Sequence, residues 1–69
     1  MTENIAIAIE REYNDYKSLS KVDLAATWKR FNRVSSLKIS EVSKDQLITD
    51  ILTFRFGKAK MDIWREYIN

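Results

Sequence analysis

The chain has 69 residues, a formal net charge of +2, one glycine, and no histidine, cysteine or proline. These absences exclude disulfides, histidine- or thiolate-bound metals, and serine or cysteine nucleophiles activated by histidine. No D-x-D-x-D-G run offers a calcium loop, and the lone Gly57 cannot make a glycine-rich phosphate cradle.

This length allows one domain, spanning 1–69. So small a chain buries a modest share of its surface on folding, and neither a disulfide nor a metal can supplement its core. Tight helix packing, self-association or a constant partner must compensate. Hydrophobic residues make up 45%, which is globular rather than disordered. Charge is unevenly spread. Residues 1–20 carry two basic and four acidic side chains, whereas residues 21–69 carry ten and six. The apolar run Ile5–Ile9 follows Glu3 and is too short for a signal peptide or membrane span, so a cytoplasmic location is expected.

The first expected element is a helix from about Glu3 to Lys17, with Thr2 as N-cap. Ile5, Ile9, Tyr13 and Tyr16 recur at helical spacing, Ala6 widens the stripe, and Ile7 falls on the opposite face. Ile5–Ile9 also alternates as a strand would, but alanine is a poor strand former and no hairpin partner is evident. The second helix is expected over Lys21–Val34, opened by the capping pattern Ser20-Lys21-Val22-Asp23. Leu24, Thr27, Trp28, Phe31 and Val34 share one face, opposite Lys29, Arg30 and Arg33.

Residues 35–43 read as a connector, with a helical turn near Ser40 and Leu37, Ile39 and Val42 tucked beneath the core. A second capping pattern, Ser43-Lys44-Asp45-Gln46, opens a third helix running to about Phe56. Gly57 stands where a left-handed residue ends a helix without steric cost. The fourth helix spans about Lys58–Ile68. Its apolar residues Ala59, Met61, Ile63, Trp64, Tyr67 and Ile68 cover over half the circumference. The fold expected is all-α, a compact bundle of three to four short helices. Its core is predicted at Leu24, Trp28, Phe31, Leu47, Ile51, Phe54, Ile63 and Tyr67.

The breadth of the last helix suggests two faces, with Ala59, Ile63 and Tyr67 turned inward and Met61, Trp64 and Ile68 meeting a partner or second copy. Trp and Met suit interface cores. Arg65 would sit at the rim, and Ile7 would join if it lies alongside. The bland reading is that this helix slots between others and buries everything. The alternative partner is nucleic acid, bound through Lys29, Arg30 and Arg33, with Lys38, Arg55, Lys58, Lys60 and Arg65 extending the patch. A solvated helix face is the bland reading there. Only Asp23 and Glu41 are acidic between Lys21 and Lys44. A helix-turn-helix over 44–68 would read DNA with 58–68, although Asp62 and Glu66 oppose it.

Catalytic candidates reduce to Glu10, Glu12, Asp15, Asp45 and Asp50, without a base, cofactor or metal beside them, so no enzyme is expected. The expected function is a small, non-catalytic regulator or inhibitor acting by protein–protein binding. Its size suits an adaptor, an antagonist or a phage- or mobile-element-type effector. A small DNA- or RNA-binding transcriptional regulator is the alternative.

Overall fold

A computed structural model describes residues 2–31 and 38–69. It contains α1 (Thr2–Lys17), α2 (Lys21–Phe31), a short 3-10 turn (Ile39–Glu41), α3 (Lys44–Phe56) and α4 (Lys58–Ile68), and the described residues contain no strand. The all-α bundle is therefore the fold, and Ile5–Ile9 is helical. α1 begins at Thr2, one residue ahead of the expected start at Glu3. The expected last turn of the second helix, with Arg33 and Val34, lies outside the described residues, as does Leu37.

Both serine caps form. The Asp23 amide donates to Ser20 Oγ (3.2 Å) and the Gln46 amide to Ser43 Oγ (3.1 Å), each satisfying a backbone donor that the first helical turn leaves unpaired. The Gln46 side-chain amide turns forward to Asp50. At its far end α1 borrows a cap from another helix, because Lys44 Nζ donates to the Lys17 carbonyl at 2.6 Å.

The central element is α3, which touches α1, α2 and α4. Being approached from three sides, it needs a broad apolar arc rather than one stripe. Leu47, Ile48, Ile51 and Leu52 are fully buried in it, joined by Ile9, Leu24, Ala25, Trp28, Met61 and Trp64. Tyr16, Leu19 and Val42 pack against this cluster, so Val42 reaches the core as expected.

Gly57 joins α3 to α4 as a one-residue link. Its amide donates to the Thr53 carbonyl (2.9 Å) and its own carbonyl accepts from the Met61 amide (3.1 Å). Thus it closes one helix and opens the next. Its φ of 92° is positive as expected, but ψ of 158° lies outside the left-handed helical region, in extended territory that essentially only glycine occupies. One residue is also shorter than the three to four of a helix-turn-helix link.

Four of the eight predicted core positions are buried: Leu24, Trp28, Leu47 and Ile51. Ile63 is half-buried. Phe31, Phe54 and Tyr67 are exposed. Phe54 lies at the edge of the buried arc, about 90° from its centre at roughly 100° per residue, and Phe31 leans on it rather than on the core.

Two substitutions test this packing. Trp28→Ala should cost about 3 kcal/mol or more, enough to abolish a cooperative melt in so small a domain. Gly57→Ala should cost about 1–3 kcal/mol through its backbone angle alone, since an added Cβ there meets nothing within 4 Å. Chemical denaturation measures both; an unchanged midpoint in either would contradict the packing described.

Candidate functional site

α1 packs on both α3 and α4. Ala6 and Ile9 of α1 are buried, and Ile5 and Tyr13 pack against the core. These positions fall on one side of a 3.6-residue helix, which turns the side bearing Ile7 outward.

From α4, Met61 is 0% and Trp64 4% exposed. Both were expected at an interface, and both are core residues instead. Ala59 and Tyr67, expected inside, are exposed. The inversion has a physical cause. Facing the helix this way buries an indole and a thioether, which remove more apolar surface from water than alanine and a phenol. The indole N–H then needs an acceptor, and α1 supplies one: Trp64 Nε1 donates to Glu10 Oε2 at 2.6 Å.

Around that bond the seam is tied by aromatic and acidic groups. The Tyr13 ring lies 5.3 Å from the Trp64 ring, tilted by 41°. Its hydroxyl donates to Asp45 Oδ1 at 2.6 Å, and Lys17 Nζ lies 5.8 Å from its ring centre. The hydrogen bond to Asp45, partial burial, and the nearby charges of Asp45 and Glu10 push the Tyr13 phenol above its ordinary 10.0.

Two of the other carboxylates considered for catalysis, Glu12 and Asp50, are engaged similarly. Glu12 receives Arg55 at 2.7 and 3.2 Å. Asp50 accepts from Trp28 Nε1 at 3.3 Å and Gln46 Nε2 at 2.9 Å. Asp15 is exposed. Among the described residues, no group of three or more acidic side chains is placed to hold a metal ion.

Two shallow grooves flank the α1–α4 seam. One is lined by Glu3, Ala6, Ile63, Glu66 and Tyr67. The other includes Glu10, Tyr13, Trp64, Arg65 and Ile68. Ile7 lines neither groove; it lies on the outer side of α1, one helical turn along the chain from both Glu3 and Glu10. Of the residues expected at a partner surface, Ile7, Arg65 and Ile68 are therefore exposed, and Arg65 forms a long 3.5 Å pair with Asp62. Tyr67 joins them; the same wide apolar spread of α4 that pointed to an interface could have included it.

Of the basic set, Lys29, Arg30, Lys38, Arg55, Lys58, Lys60 and Arg65 are exposed, Arg55 being paired with Glu12 and Arg65 with Asp62, and Arg33 lies outside the described residues. Trp28 meets Asp50 and Phe31 meets Phe54, so α2 and α3 run in the same direction. That places Lys29 and Arg30, at the end of α2, at the same end of the bundle as Lys58 and Lys60. Lys38 belongs to the connection between α2 and α3 and is not shown to join them.

In comparisons with protein-family models, curated proteins and solved structures, this chain matches none.

The Tyr13 bond has a pH signature. A folded-state pKa above 10.0 means that its stabilisation is complete below pH 10 and is lost as pH rises through the folded value. Tyr13→Phe should delete a phenolate absorbance component titrating above pH 10 and flatten the alkaline loss of stability. A lost component that titrates no higher than an ordinary phenol would contradict the hydrogen bond.

Proposed function

We propose that this protein is a small non-catalytic regulator or inhibitor that binds another protein through the outer α1–α4 seam. The observation carrying this reading is that Tyr67 and Ile68, 52% and 50% exposed, line the two grooves along the α1–α4 seam, while Ile7, 40% exposed, stands on the outer side of α1. Scattered exposed apolar residues are ordinary on any surface. Three large ones on two adjoining helices, bordered by charge, have the composition of a docking patch.

The border suggests the partner's chemistry. Glu3 and Glu66 line the groove with Tyr67, and Glu10 lines the one with Ile68. An amphipathic segment with an apolar stripe and basic flanks complements this arrangement. A symmetric pair of copies would bring two acidic borders together, which favours a different protein as partner. A standard interface covers about 800 Å² per partner, roughly one-sixth of this chain's 4997 Å² surface. The apolar trio is smaller than that, so the partner must reach Glu3, Glu66 and Arg65 as well. The non-catalytic part of the reading is supported by the structural use of Glu10, Glu12, Asp45 and Asp50.

The test compares the wild type with an Ile68→Asp, Tyr67→Ser variant as nuclease-treated baits in extracts of the native host. Both side chains are exposed, so the melt should stay within about 0.5 kcal/mol of wild type per substitution. A specific protein should be recovered by the wild type and lost, by about tenfold or more, from the variant. Equal recovery by both would refute the seam as the binding surface.

A further inference from the structure

We propose that the end of the bundle where α2 and α3 finish and α4 begins is a second binding surface, for single-stranded nucleic acid. Phe31 and Phe54 would form its base-stacking platform, and Lys29, Arg30, Lys58 and Lys60 its phosphate contacts.

The aromatic pair is the first observation. Phe31 and Phe54 are 43% and 47% exposed, with ring centres 6.0 Å apart and planes within 6° of parallel. They satisfy each other only in part, and each leaves ring surface in water. Neither belongs to the buried cluster, which takes Leu24, Ala25 and Trp28 from α2 and Leu47, Ile48, Ile51 and Leu52 from α3.

Charge supplies the second. Lys29 and Arg30 immediately precede Phe31, and Lys58 and Lys60 follow Phe54 across the one-residue Gly57 link. The parallel course of α2 and α3 makes these four residues share an end with the rings. None of the four makes an ion pair among the described residues; the two pairs present are Arg55–Glu12 and Arg65–Asp62. Asp62, the nearest acid along α4, is thus already directed to Arg65.

Flat rings that share an end of the bundle with four cations, none paired among the described residues, match a ligand that repeats a flat base and a negative phosphate. Every base has a face that stacks on an aromatic ring, whatever its identity. In a duplex those faces are stacked against neighbouring bases, so a single strand is favoured. An acidic peptide would meet the cations but leave the rings unused. This surface shares no residue with the α1–α4 seam, so its failure and that of the protein-binding reading are separable.

Fluorescence anisotropy tests it, using the full chain with labelled oligo-dT and oligo-U of about 15 nucleotides, a duplex of equal length and a poly-glutamate peptide. The single strands should bind more tightly than either competitor. Their log affinity should fall with log salt at a slope of about −1.5 to −3, from about 0.7 per phosphate contact. Phe31→Leu with Phe54→Leu should weaken binding by about tenfold or more and keep that slope. Lys58→Gln with Lys60→Gln should reduce the slope by about 1.4 and leave the melt unchanged. Ile68→Asp should have no effect. Should the phenylalanine variant unfold, the preference for single strands and the lysine variant decide. Absent single-strand binding, equal duplex or poly-glutamate binding, or indifference of a folded phenylalanine variant would each overturn the proposal.

Discussion

Each tryptophan in this chain must bury a large indole without stranding its N–H, and the whole bundle is arranged around doing so twice. A buried donor without an acceptor costs about 1–3 kcal/mol, a serious fraction of what a small domain has in hand. Trp28 reaches Asp50 and thereby joins α2 to α3. Trp64 reaches Glu10 and joins α4 to α1. With α1 resting on α3 as well, two indole–carboxylate bonds tie all four helices together. No buried side-chain nitrogen or oxygen among the described residues lacks a partner. The carboxylates that looked like catalytic equipment in a list of residues serve as the acceptors this arrangement requires.

Much of the fold was legible because it depends on neighbours a few residues apart. Ser20 and Ser43 start helices by bonding the amide three residues on, and that relation is written directly in the sequence. The apolar spacing of α2 and the break at Gly57 are equally local. The facing of α4 is not. Its apolar residues surround most of the helix, so periodicity alone cannot choose between burying Met61 with Trp64 and burying Ala59 with Tyr67. The choice depends on Glu10, 54 residues from Trp64. Nothing in the spacing of either helix announces that partnership. Phe31 and Phe54 misled for a related reason: both have the right period, but they lie where the three-sided contact around α3 runs out.

The uneven charge along the sequence becomes an uneven charge in space. The α1–α4 seam carries Glu3, Glu10 and Glu66 beside an exposed isoleucine and a tyrosine. The far end of α2 and the near end of α4 carry lysines and an arginine beside two phenylalanines. A net charge of +2 conceals this division. The two surfaces differ in what they would attract, and the core residues between them keep them apart. On the readings proposed above, the chain would be a connector that holds a protein on one side and a nucleic acid strand on another.

The Gly57 link carries a further implication about handedness. Its angles, φ 92° and ψ 158°, lie where residues bearing an L side chain are strained, although the space where such a side chain would stand is open. The site therefore excludes alanine for its chirality and not for its bulk. Ribosomal synthesis offers only one achiral residue, so the junction that aims Trp64 at Glu10 rests on the one position in the chain where the natural alphabet has a single suitable letter.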